Sequence, residues 1–173
     1  MKSVDEIWGS DDDTDIEYMY QYLHNLHKTN ILTSSQIREG WLEHIDTEEE
    51  NYLWVSNQRA LDLMLEGFEP PETSNPEKNE FYDMIDAQLT TEIFGLFSPT
   101  KPDFSIEMAR LPIQTTARKE AQEIAEFYVK MYSNASNPKG FKSIKEKMLW
   151  PVSYTHLRAH ETKANLVCRL LLE

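Results

Sequence analysis

The chain holds one cysteine, Cys168, and five glycines in 173 residues. A single cysteine excludes a disulfide framework and paired-thiolate chemistry. No apolar run approaches the ~20 residues that a membrane span needs. No signal peptide is recognisable at the start, and the expectation is a cytoplasmic protein. Basic residues are scarce: 17 Lys and Arg stand against 30 Asp and Glu, a net charge of −13. Such a balance repels phosphate backbones and anionic lipid, so neither nucleic acid nor membrane is an expected partner. Strand signals are missing too. No segment alternates apolar and polar residues convincingly, and neither a repeat nor a low-complexity tract is present.

What the chain does have is helical spacing, and it predicts an all-α fold. Ile16, Met19, Tyr20, Leu23 and Leu26 form the first stripe. Thr33-Ser34-Ser35-Gln36 is a hydroxyl–Gln capping pattern that opens a second helix carrying Ile37, Trp41, Leu42 and Ile45. Leu53, Trp54, Ala60, Leu61, Met64 and Leu65 mark a third, stopped by Gly67. Residues 70–79 read as a polar loop rich in Pro, Asn, Ser and Glu. A fourth helix is predicted over 86–97 and closed by Pro99, and a fifth over 104–111 and closed by Pro112. A sixth spans 116–132, with Ala121, Ile124, Ala125, Tyr128, Val129 and Tyr132 on one side; a polar linker, 133–140, and a basic helical segment, 141–150, follow. Trp41, Trp54, Tyr128 and Tyr132 are expected in the core. His24, His27 and His44 lack acidic or thiolate partners at ligand spacing and read as structural.

The last 22 residues are of another kind. Val152-Ser153-Tyr154-Thr155-His156-Leu157-Arg158-Ala159-His160-Glu161-Thr162, and then Leu166 to Glu173, resemble one reading frame of a transposon-type sequencing adapter. Residues 152–173 are therefore excluded from fold reasoning, and 1–151 are taken as the natural segment, a fragment of one domain. Removing three basic and two acidic residues with the tail leaves 14 basic against 28 acidic, a balance of −14. Cys168, His156 and His160 leave with it.

The chemistry-bearing stretch is Gly9-Ser10-Asp11-Asp12-Asp13-Thr14-Asp15. Crowded carboxylates repel one another unless a cation or water screens them. Oxygen-only ligands suit Mg²⁺ or Mn²⁺. The same residues also suit a helix N-terminus, where Asp caps free N–H groups. A helix–loop–helix calcium loop starting at Asp11 fails, because its sixth and twelfth places, which need Gly and Glu, hold Ile16 and Tyr22. Asp11, Asp12 and Asp15 match the Asp-Asp-x-x-Asp pattern of prenyl-diphosphate synthases, but no second acidic motif accompanies it.

Four segments together resemble a bacterial branch of the ADP-ribosylglycohydrolases. They are Trp8 to Asp15, which is similar to the family's Thr-Asp-Asp-Thr element; Glu49-Glu50-Asn51-Tyr52-Leu53-Trp54-Val55-Ser56; residues 84–96; and residues 111–118. The resemblance covers residues 7–132. It implies a partial orthogonal helical bundle with a binuclear Mg²⁺ (or Mn²⁺) centre. It also implies hydrolysis of the glycosidic bond between ADP-ribose and an acceptor, so that an ADP-ribosylated substrate or related nucleotide is the partner. Asp12 and Asp13 fall on the paired metal-binding aspartates. Asp11 stands where most members have a metal-ligating Thr, and adds a carboxylate there. Asp86 and Gln88 fall in the segment that lines the ADP-ribose pocket, without its usual Asn-Gly character; taken alone, Asp86 reads as an N-cap and Gln88 as a polar face. Glu92 lies one turn beyond Gln88 and reads as solvated. The family's Gly-Asp-rich upstream segment and its Asp-x-Asp-Thr downstream segment are not found, so the acid–base residue is unassigned and the fragment is expected to be inactive. A Mg²⁺–diphosphate prenyltransferase-like bundle and a non-catalytic binding or scaffold protein remain the alternatives.

Overall fold

The computed structural model describes residues 11–47 and 52–135. Within them all regular structure is helical: α1 (Asp12–His27), α2 (Ser34–His44), α3 (Val55–Leu65), a 3₁₀ turn (Glu72–Ser74), α4 (Asp86–Thr91), α5 (Ile93–Phe97), α6 (Pro102–Thr116) and α7 (Lys119–Ala135). The basic segment 141–150, the tail 152–173, residues 8–10 of the acidic motif and residues 48–51 lie outside the described residues. No described helix is long and apolar enough to cross a membrane.

The local signals that open and close helices are obeyed. Thr33 and Gln36 form the capping box: Gln36 N–H donates to Thr33 Oγ1 at 3.2 Å and Thr33 N–H to Gln36 Oε1 at 2.9 Å. Gly67, at φ +102°, ends α3, with Gly67 N–H on Met64 O and Phe68 N–H on Leu63 O. The core is built from Ile16, Tyr20 and Leu23 of α1, Trp41 of α2, Met64 of α3, Phe94 of α5, Ile113 of α6 and Val129 of α7. Through it runs a buried hydrogen-bond chain. Trp41 Nε1 donates to Tyr20 Oη at 3.3 Å, Tyr20 Oη to Thr115 Oγ1 at 3.5 Å, and Thr115 Oγ1 to Leu111 O at 3.2 Å. These bonds place the two polar aromatic tips in the interior at little cost.

Four expectations are corrected by packing. The helix expected over 86–97 is broken at Glu92 into α4 and α5. Thr91 Oγ1 bonds back to Ala87 O, a contact that bends helices, and Gly95 N–H turns to Glu92 O. Pro112 does not close the fifth helix, since α6 runs on to Thr116. Its missing N–H and ring clash cost about 3 kcal/mol locally. The buried Pro112, Ile113 and Thr115 side chains offset this, together with caps on the last carbonyls: Thr73 Oγ1 donates to Thr115 O at 2.7 Å and Ser74 Oγ to Gln114 O at 2.5 Å. Residues 70–79 form the expected loop around that 3₁₀ turn, with Thr73, Ser74 and Asn79 fully buried. Residues 133–135, expected in a linker, belong to α7, where Ser133 Oγ donates to Ser98 O at 2.6 Å. Among the aromatic residues expected inside, Trp41 is buried, Tyr128 and Tyr132 are half-buried, and Trp54 is exposed; Leu26 and Leu65 are exposed as well.

Candidate functional site

Successive helical residues project about 100° apart, so the three aspartates that look alike in sequence part company. Asp11 is the N-cap of α1: its exposed Oδ1 accepts Thr14 N–H at 3.3 Å and Thr14 Oγ1–H at 3.0 Å. Asp12 turns inward and is 1% exposed. Its Oδ2 takes two donors from the start of α3, Trp54 N–H at 2.8 Å and Asn57 Nδ2–H at 2.9 Å. Trp54 thus serves through its backbone while its ring lies in solvent, which is why its apolar character misled. Asp13 lies on the flank of α1 that faces α4 and α5, half-buried. Burial, and then the Asp12, Asp11 and Asp86 carboxylates, push its carboxyl up to about 6.

Asp86 comes from 73 residues further along the chain to the same place. It is the first residue of α4 and not its cap, a position held by Ile85. It is 3% exposed, and its Oδ1 accepts Asn57 N–H at 3.4 Å. Burial raises its pKa against hydrogen bonds from its own backbone and Asn57, with Asp12 adding to the rise. Gln88 does not join it. Two places on, it lies about 200° around α4, in a separate groove of about 400 Å³ with Met84, Ile85, Ala121 and Ile124.

Two members of the cluster were not legible as such. Glu17, one turn after Asp13, is raised by burial and by Asp13, against a hydrogen bond from Ile93 N–H. Glu92, expected in solvent, sits half-buried at the break between α4 and α5. Burial, then Glu17 and Asp13, push it up to about 7, and its Oε2 is buried without a partner. The i, i+4 spacing of Asp13 and Glu17 was a usable signal; the turn of Glu92 toward α1 was not, because the helix break creates it. His24 lies on the same flank of α1, its Nδ1 bonded to Thr29 O at 2.7 Å and its ring edge-on to Phe94 and Phe97. Burial lowers its pKa.

These shifts set a pH dependence. A carboxyl raised in the fold contributes stability at low pH that is lost as pH climbs through its folded value, here about 6 for Asp13 and about 7 for Glu92. His24 acts oppositely, since a lowered folded value costs stability as pH falls below its ordinary ~6.5. The carboxyls are several and the histidine one. The melting temperature should therefore fall by about 3–6 °C between pH 5.5 and 8, after allowance for solvent screening. Glu92→Gln should raise it at pH 8 and flatten the profile in differential scanning calorimetry. An unchanged profile in that variant would mean that Glu92 carries no repulsion.

The donor set suits a divalent cation in type. It consists of carboxylate oxygens that no Lys or Arg among the described residues neutralises. Beside Asp12 the fully buried Asn57 also keeps its Oδ1 without a partner. No three His, Cys, Asp or Glu side chains among the described residues are grouped so as to hold a metal ion. Comparison with protein families, with curated proteins and with solved structures returned no match.

Proposed function

We propose that this chain is part of a metal-dependent hydrolase that cleaves the glycosidic bond between ADP-ribose and an acceptor. The observation that carries the reading is the convergence of Asp12, Asp13 and Asp86 on one another across 73 residues of sequence. These are residues for which the resemblance to ADP-ribosylglycohydrolases implies metal and substrate contact. In this reading Asp12 and Asp13 hold the cations, and Asp11 adds the carboxylate oxygen not engaged with Thr14. When bound, Mg²⁺ or Mn²⁺ would supply Lewis acidity toward the ribose hydroxyls and the attacking water. Asp86 borders the ribose side, and Gln88 would meet a more distant part of the nucleotide from its own groove. Cleavage builds positive charge at the anomeric carbon, which a ring of carboxylates stabilises. Asp13 and Glu92, which bind protons nearest neutrality, have the affinity that proton transfer needs.

The purified 173-residue chain is expected to release no ADP-ribose from an ADP-ribosylated protein in the presence of Mg²⁺ or Mn²⁺, because the cage has one wall. The test is to sequence the source locus across both ends of this frame, express what it encodes and assay it. Metal-dependent release that Asp13→Asn abolishes is the expected result. Turnover by the 173-residue chain itself would sink the inactivity claim. Inactivity of a product that carries both missing segments would sink the hydrolase reading.

A further inference from the structure

A cleft of about 700 Å³ opens between α1 and α2, lined by Thr14, Asp15, Tyr18 and Tyr22 of the first helix and by His44 and Ile45 at the end of the second. At about 100° per residue, Asp15, Tyr18 and Tyr22 project roughly opposite Asp13, so the cleft is separate from the carboxylate cluster. Tyr18 and Tyr22 lie one turn apart and are 70% and 42% exposed. The Tyr22 and His44 rings, one from each helix, stand at 82° with centroids 5.0 Å apart. Two rings at nearly a right angle make a corner, and Tyr18 extends it along α1. Met19, 4% exposed, lies at the base. The charge around this corner has one sign. Residues 11–27 hold five carboxylates, residues 39–47 hold three, and neither stretch has a Lys or Arg. Anionic compounds are repelled from such a surface and cations are drawn to it. Aromatic ring faces add to the attraction. A primary ammonium needs three acceptors at once. A methylated ammonium needs none and is held by ring faces. The volume exceeds that of a bare ammonium head and suits a drug-sized molecule.

We propose that the cleft between α1 and α2 binds a small organic cation, a quaternary ammonium joined to a ring-bearing body. The ammonium sits in the corner of Tyr22 and His44, and the body lies along Tyr18 over Met19. Asp15 adds a carboxylate at the edge. The site is independent of the hydrolase reading, since none of Asp12, Asp13, Asp86 and Gln88 lines it.

The test is a nuclear magnetic resonance titration of the isotopically labelled 173-residue chain with para-trimethylammoniophenol. A parallel titration uses para-tert-butylphenol, its uncharged isostere. The cation is expected to bind saturably, to shift the signals of Tyr18, Tyr22 and His44, and to bind about 5–10-fold more tightly than the isostere. Tyr22→Leu keeps apolar bulk and removes the ring face. It should weaken the cation about 3–10-fold and leave the isostere nearly unaffected. Tyr18→Ala, at a position largely in solvent, serves should Tyr22→Leu fail to fold, and the same selective loss is expected. Equal affinity for the two probes in the unsubstituted chain overturns the proposal, because the cleft would then have no preference for charge. An equal loss for both probes in the tyrosine variants overturns it as well. So does the absence of saturable binding, or binding that shifts signals elsewhere. Shifts at the same three residues that grow with protein concentration, without any probe, would make the cleft an interface between copies and would also overturn it. The hydrolase reading stands or falls separately from all of these results.

Discussion

Gly95→Ala is expected to bring the chain close to unfolding. Gly95 sits in α5, where helix propensity alone favours alanine by about 1 kcal/mol. Packing reverses the sign. A methyl group at this position would run into Val129 O and lie 2.7 Å from Tyr132 Cβ and 2.9 Å from Ser133 N, all on α7. Two of the three obstacles are backbone, which cannot swing aside as a side chain can. Overpacking of a well-filled core costs about 1–3 kcal/mol and occasionally more. Backbone obstruction places this case at about 3–5 kcal/mol, a large share of the ~5–15 kcal/mol that a domain typically holds. The same face carries the Ser133–Ser98 bond, the Thr100 N–H to Ser133 O bond and the placement of Glu92, so the helix break would be disturbed too. Gly40→Ala is the control. There the added methyl meets Leu23 Cδ1 at 2.5 Å, the free end of a flexible side chain, and the propensity gain offsets part of the cost. Urea unfolding followed by circular dichroism should show a large loss of midpoint for Gly95→Ala and a small one for Gly40→Ala. Equal midpoints for Gly95→Ala and the parent would disprove the close approach of α5 and α7.

Asp12→Ala has the second-largest expected effect, and it acts on stability. Truncation leaves Trp54 N–H and the Asn57 amide without their acceptor, and each buried unsatisfied donor costs about 1–3 kcal/mol. A stability loss of about 2–4 kcal/mol follows. Asp11→Ala removes only an exposed N-cap, worth about 1 kcal/mol. The two aspartates are neighbours with the same side chain, so the contrast isolates environment from chemistry. Comparable losses of melting temperature for the two variants would show that Asp12 is not the buried anchor of the start of α1.

Part of the molecule was settled by sequence, because the determining interactions are local. The all-α class, the capping box at Thr33 and Gln36, the stop at Gly67 and the inward stripe Ile16, Tyr20 and Leu23 depend on residues within a turn or two of each other. Hydrophobic period and cap chemistry are readable at that range. The acidic run was likewise visible as chemistry, and its first residue serves the helix-capping role that its composition allows.

Tertiary structure decided everything that depends on residues far apart. It carried α6 through Pro112 by burying that turn and capping its carbonyls from Thr73 and Ser74. It split the helix at Glu92 and so turned a carboxylate expected in water toward Glu17 and Asp13. It assigned Asp11, Asp12 and Asp13 three different environments, and it separated Gln88 from Asp86. It also recruited Asn57, a residue just outside the segments that stand out in the sequence, as the link between Asp12 and Asp86. The physical reason is common to all of these. Burial and the partner of a polar group are properties of the space around a side chain, and in a helical bundle that space is filled by residues dozens of positions away.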